Sequence, residues 1–208
     1  PVPEENPTRG GEGGLRIAIV TSPSTVEDGS FNQDSYEGIL AFIQEYPDAS
    51  VTAVQEPTGE AEASVQAVAQ LAASYDVVVT PGTQFAGVGT VAQEYPDTDF
   101  ILVDTFPTDA QGQEVVLDNL YAMRFAGQES GFFAGVAAAL ETVTNQVAVV
   151  TGIAYSANVD CQYGFEAGVN YANAHYGTAA QLVELPAYAG TDRTGANVGG
   201  NYIGSFND

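Results

Sequence analysis

"RIAIVTSPSTVEDGSFNQDSYEGILAFIQEYPDASVTAV", residues 16–54, decides the fold. "IAIV" (17–20) is short and apolar throughout, as a strand buried on both faces must be. Residues 32–45 then place Tyr36, Ile39, Leu40 and Ile43 at helical spacing, and "VTAV" (51–54) is a second strand. A strand, a helix and a second apolar strand form a βαβ unit, whose strands lie parallel with the helix across one face.

Working outward, the alternation continues. Residues 60–74 set Val65, Val68, Leu71 and Ala72 on one helical face, and "DVVVT" (76–80) follows as a strand. A short helix is expected over 85–95, a fourth strand at "FILVD" (100–104), and a fifth at "VVL" (115–117). The pattern then restarts. A helix over about 126–141 precedes a strand at "QVAVVTG" (146–152), a helix covers 162–175, and "AQLVELP" (180–186) and "NYIGSF" (201–206) read as strands. Residues 187–200, polar and glycine-rich, read as an exposed loop. These spans predict an α/β fold with three parts. A flexible tether occupies 1–14, an N-terminal α/β lobe 15–124, and a partial second α/β lobe 125–208. The proline- and glycine-rich tether fits the mature start of an exported chain and a cloning boundary alike.

Composition narrows the function. Apolar residues make up 45% of the 208, enough for a sizeable core. No apolar run approaches the roughly 20 residues of a membrane-spanning helix. The longest, "SGFFAGVAAAL" (130–140), is short and rich in small residues. Twenty-seven acids face four arginines and no lysine, a formal charge of −23. Such a chain repels phosphate backbones, which excludes nucleic acid as a partner; halophilic proteins and acid-tolerant secreted proteins share this balance. The single cysteine, Cys161, admits no internal disulfide and reads equally as a small buried residue or a reactive one. The single histidine, His175, reads as a cap or surface residue near a helix C-terminus. No metal cluster, catalytic signature or cofactor motif is present; "GVGTVA" (87–92) lacks dinucleotide glycine spacing, and Glu129 reads as a solvated or paired charge.

In doubly wound sheets ligands bind beyond the carboxyl ends of the strands. Four strand ends here carry hydroxyls, amides, carboxylates and aromatics: "TSPSTVEDGSFNQ" (21–33), "TPGTQFAG" (80–87), "DTFPTD" (104–109) and "GIAYSANVDCQYGF" (152–165). Together they suit a small polar molecule with an aromatic part. Each also has a plainer reading. Asp28 and Ser30 fit caps of the following helix, and Phe31 fits a hydrophobic staple. Thr83 and Gln84 fit an ordinary strand-to-helix turn, Asp104 fits a cap, and Tyr163 or Phe165 fits helix packing.

"DGSFNQDSYEGI" (28–39), "VVVTPGTQFAGVGTVAQEYPDTDFILVD" (77–104), "NLYAMRFAGQESGFFAGVAAAL" (119–140) and "YGFEAGVNYANAHYGT" (163–178) together resemble the basic membrane protein family. Its members are substrate-binding lipoproteins of ABC importers, the best understood of them purine-nucleoside receptors. The resemblance runs from about Leu15 to Asp208. It implies a type I periplasmic-binding-protein fold, with two doubly wound α/β lobes and the ligand between them. Family members continue past this point with the ribose-binding acid and lysine, so the second lobe is expected to be incomplete.

The resemblance further implies that Phe31 stacks on the base, with Asp28, Ser30 and Asn32 around it. Asp104 reads the base edge, and Thr83 and Gln84 assist. A second aromatic comes from the other lobe, for which Tyr163 and Phe165 are the nearest candidates. It also implies no cofactor or metal, ABC permease subunits as partners, an extracytoplasmic location, and membrane contact only through a lipid anchor outside this chain. Two other readings remain: a binding protein for another small solute, such as a sugar or aromatic metabolite, and a nucleoside hydrolase acting through Asp28 and Asp104.

Overall fold

β1 (Arg16–Thr21) is the pivot of the fold, because its side chains alternate between two different cores. Ala18 and Val20 join one apolar cluster, while Ile17 and Ile19 join another on the opposite face. This is the period-2 geometry of a strand buried on both sides. The computed structural model describes residues 13–184, 189–191 and 197–203. They group into two compact units that meet in sequence at Arg124 and Phe125.

In the first unit, α1 (Phe31–Glu45) leads to β2 (Ser50–Gln55), and α2 (Ala61–Ala72) to β3 (Val77–Pro81). A 3₁₀ turn (Thr83–Phe85) and α3 (Val88–Glu94) lead to β4 (Asp99–Val103), and β5 (Leu120–Met123) completes the sheet. The strand order is β2-β1-β3-β4-β5, parallel throughout. Ile39 of α1 packs with Ile17, Ile19, Val79 and Val103 on one face. Val68 and Leu71 of α2, Phe85, and Val88 and Val91 of α3 pack with Val78, Phe100 and Leu102 on the other. Helices on both faces of a parallel sheet make this unit doubly wound. All the strands point the same way, so the loops after β1, β3, β4 and β5 gather along one edge.

The fifth strand corrects the expectation at 115–117. Val116 is 99% exposed, and the ladder partner of β4 is Leu120–Met123. The intervening chain is folded back locally. Asp109 accepts the N–H groups of Gln111 and Gln113, and Gly112 takes a φ of 75°. The turn brings Thr108 opposite Glu114 before the chain reaches the sheet.

The second unit is built on two helices, α4 (Gly127–Glu141) and α5 (Ser156–His175). Their backbones meet along a seam of glycines. A Cβ at Gly131 would collide with the carbonyl of Cys161, and one at Gly135 with that of Phe165. Reciprocally, Gly164 faces the carbonyl of Gln128 and Gly168 that of Phe132. This explains the small-residue richness of "SGFFAGVAAAL": only glycine permits so close an approach. α5 begins six residues before the expected 162.

The expected strand at 146–152 is broken into β6 (Gln146–Val147) and β7 (Val150–Thr151). β6 pairs in parallel with β8 (Gln181–Leu182), shorter than the expected 180–186. The reading of 187–200 as a loop is also corrected at 189–191 and 197–200, while 187–188 and 192–196 lie outside the described residues. β9 (Ala189–Thr191) and β10 (Asn197–Tyr202) form an antiparallel pair, with β7 parallel on the other side of β10. Backbone pairing needs no apolar side chain, so a glycine-rich run can still join a ladder. β10 starts four residues before the expected 201. Positions 1–12 of the tether, and 185–186 and 204–206 of the expected strands, lie outside the described residues.

Candidate ligand-binding site

The loop after β1, residues 22–30, is held from several directions. Ser22 Oγ donates to Glu56 Oε2 at 2.7 Å. The Ser22 carbonyl accepts Gln84 Nε2 at 2.6 Å, and the Pro23 carbonyl accepts Gln55 Nε2 at 2.6 Å. The Ser24 carbonyl accepts Asn32 Nδ2 at 3.3 Å. Three consecutive carbonyls thus each receive an amide side chain, from the turn after β3, from β2 and from α1.

Glu56 was not singled out from the sequence, where it looks like one more surface acid. It is only 6% exposed. Besides Ser22, it accepts the N–H groups of Thr58 at 2.8 Å and Gly59 at 2.9 Å. Ser64 Oγ lies 3.4 Å from the same carboxylate and 3.1 Å from Ser22 Oγ. Burial alone would push the Glu56 carboxyl up. The hydrogen bonds from Thr58, Ser22 and Gly59 outweigh it and hold the pKa below the ordinary carboxylate value.

That direction fixes a pH dependence. A lowered folded pKa contributes stability above the unfolded value of about 4.3, and the contribution is lost as pH falls through the folded pKa. Glu56→Gln is expected to cost roughly 1–2 kcal/mol at pH 7. The gap between parent and variant should narrow as the pH falls below about 4. Urea unfolding at a series of pH values measures it; a constant gap would show that the charge does not matter.

Asp28 takes the capping role. Its Oδ1 accepts the N–H groups of Ser30 at 2.9 Å and Gln33 at 3.1 Å, and its Oδ2 that of Asn32 at 3.3 Å. Ser30 stands at the helix N-cap position but makes no side-chain cap bond. Phe31 is 37% exposed, so the hydrophobic-staple reading fails and the ring stands at the surface of the strand-end edge. Asn32 and Gln84 are buried, and their amides are committed to the loop. Asn32 Nδ2 and Gln84 Nε2 thus both donate to carbonyls of the protein itself.

Thr83 Oγ1 is a buried hydroxyl with no hydrogen-bond partner. Asp104 follows directly after β4 at a φ of 63°, with its N–H donating to the Met123 carbonyl at 2.7 Å. Phe106, two residues on, is exposed, and the Arg124 guanidinium lies 5.9 Å from its ring centroid. Phe106 lay within a stretch marked by the sequence but was not itself chosen. The first unit therefore brings Asp28, Ser30, Phe31, Thr83 and Asp104 to one edge of one sheet.

Tyr163 and Phe165 belong to α5 of the second unit. Tyr163 is 54% exposed, whereas Phe165 is 6% exposed in the core with Ala139, Val147 and Val169. Phe165 is thus a packing residue, not a ligand-facing ring. About half a helical turn sets the difference, because residues two apart face different sides of a helix. Beside them, Gln162 accepts the buried Tyr202 hydroxyl and donates to Glu166 at 2.7 Å. Burial, with the nearby Tyr163 and Glu166, pushes the Tyr202 hydroxyl up to about 12. Cys161 is partly buried, His175 stands in the last turn of α5, and Glu129 is exposed in the first turn of α4. Among the described residues no cluster of His, Cys, Asp and Glu could hold a metal, and no helix is long and apolar enough to cross a membrane.

The Bmp family model, "ABC transporter substrate-binding protein PnrA-like", matches residues 16–185. The chain belongs to the Bmp family. That family is one of substrate-binding proteins. This Bmp-family chain is 27% identical over 163 residues to the ABC transporter nucleoside-binding protein BmpA of Lactococcus lactis subsp. cremoris, covering 74% of the chain and 43% of that relative. It is 25% identical over 198 residues to basic membrane protein A2 of Borrelia garinii subsp. bavariensis, covering 95% of the chain and 51% of the relative. The Bmp-family chain therefore spans about half the length of these curated relatives. Among solved structures, an ABC transporter solute-binding protein from Aeropyrum pernix K1 superposes with a TM-score of 0.69 at 20% identity, over 82% of this chain and 46% of the other. The Bmp-family fold is thus that of a solute-binding protein: an α/β architecture around a parallel sheet.

Proposed function

We propose that this chain is the solute-binding component of an ABC importer and that its ligand is a purine nucleoside. The observation that carries the reading is Phe31. An aromatic ring stands exposed at the first position of α1, at the carboxyl edge of a parallel sheet, beside a loop held by side chains from the end of β2 and from the turn after β3. A flat apolar face in a fixed frame suits a planar base. The Thr83 hydroxyl and the Asp104 carboxylate supply polar groups for its edges, with Asp28 and Ser30 beside the ring. Tyr163 stays in the proposal as a second aromatic. The nucleoside-binding name of the Lactococcus relative supports the ligand class.

In this reading the protein works outside the cytoplasm, held to the membrane by a lipid anchor, and hands its ligand to permease subunits. It performs no chemistry on the ligand. Calorimetric titration with adenosine, guanosine and inosine tests it: at least one should bind, and no heat from any of the three would sink the ligand assignment. Base stacking on an aromatic is worth roughly 1–3 kcal/mol, so Phe31→Ala should weaken binding by roughly ten- to a hundredfold. Undiminished affinity in that variant would remove the stacking role. Free base appearing in the mixture would instead revive the hydrolase reading.

A further inference from the structure

We propose that Gln55, Gln84 and Glu56 are positioning residues that preset the binding loop, so that Phe31 and Asp28 are held in place before ligand arrives. The proposal rests on the solute-binding reading above. Its geometry is specific. Gln84 comes from the turn after β3, and Gln55 and Glu56 from the end of β2, yet all three converge on Ser22 and Pro23. None of the three is in the loop they hold. Gln84 is buried and spends its amide on the Ser22 carbonyl, with the Pro81 carbonyl at 3.4 Å.

Gln84 also sits against Gly82, whose φ of 113° leaves room for the side chain where a Cβ would collide with it. Beyond Pro23 the chain is held twice more, by Asn32 on the Ser24 carbonyl and by Asp28 on the N–H groups of Ser30, Asn32 and Gln33. Such a loop is ordered by the protein itself. A ligand then loses little affinity to ordering it, which is how preorganisation strengthens binding.

The experiment compares Gln55→Ala and Gln84→Ala in the whole chain with Asn119→Ala as a control. Asn119 makes the same kind of amide-to-carbonyl anchor, to Ala92, Tyr95 and Thr98, away from the strand-end loops. Hydrogen exchange of the Ser30, Asn32 and Gln33 amides reads the loop directly. Titration with adenosine, guanosine and inosine reads affinity. Both glutamine variants should speed exchange at these amides about tenfold and weaken the nucleoside the parent binds about tenfold. Asn119→Ala should do neither, even where it lowers the melting temperature.

Gln55 is exposed, so its variant retains the fold should Gln84→Ala prove unstable. Unchanged loop exchange in Gln55→Ala overturns the clamp. Faster exchange with undiminished affinity overturns its role in binding. A parent that binds no nucleoside would refute the ligand class, while the exchange measurement would still decide whether the clamp orders the loop.

Discussion

Gly135→Leu and Gly168→Leu are each expected to unfold the second unit or lower its stability by on the order of 3 kcal/mol or more. The helices α4 and α5 meet backbone to backbone at these positions, so a side chain has nowhere to go. Either the helices separate and lose the packing of Phe165, Val169 and Ala139, or the chain bends locally at similar cost. Glycine-to-alanine changes at the same sites should do less, because alanine gains about 1 kcal/mol of helix propensity against the clash.

Gly38 on α1 provides the contrasting case. A Cβ there meets nothing, so Gly38→Ala should leave the protein unchanged or stabilise it by up to about 1 kcal/mol. Thermal melts followed by circular dichroism distinguish the two classes. Parent-like melting of Gly135→Leu and Gly168→Leu would mean that the seam is not as close as described.

The second large effect concerns salt. Raising KCl from 20 mM to 2 M is expected to raise the melting temperature by about 10 °C. The chain carries 27 acids against four arginines, and Arg16 is already paired with Asp76 at 2.7 Å. Two like charges 10 Å apart repel by roughly 0.4 kcal/mol in water, so about ten such pairs amount to about 4 kcal/mol. At 1 M salt the screening length falls to about 3 Å, which removes most of that repulsion. For a chain of this size each kcal/mol moves the midpoint by about 2–4 °C. A midpoint that does not change between the two salt concentrations would show that the acids are already compensated within the fold.

The first unit was legible in the sequence because its signals are local. Ile17 to Val20 reads as a doubly buried strand, and Val68, Leu71 and Ala72 mark the inner face of α2; both proved to be core. β5 was misplaced because an edge strand is half exposed. Tyr121 and Met123 face solvent, so its run looks less apolar than the "VVL" before it. Glu56 escaped notice for a different reason. An isolated glutamate carries no mark of burial, and its donor Ser22 lies 34 residues away in sequence. The same holds for Asn32 and Gln84: residue type announced hydrogen bonding, but only the fold shows whether the partner is a carbonyl of the protein. The choice between Tyr163 and Phe165 turned on helical phase, which the aromatic pattern alone did not fix.

The backbone at Asp104 carries a last consequence. A left-handed φ of 63° costs an L-residue roughly 1 kcal/mol or more, and glycine would adopt it freely. Turn geometry alone would thus favour glycine at this strand end. Asp104→Gly would relieve that backbone cost and remove the carboxylate from the sheet edge in one step, so at this position backbone comfort and side-chain chemistry pull toward different residues.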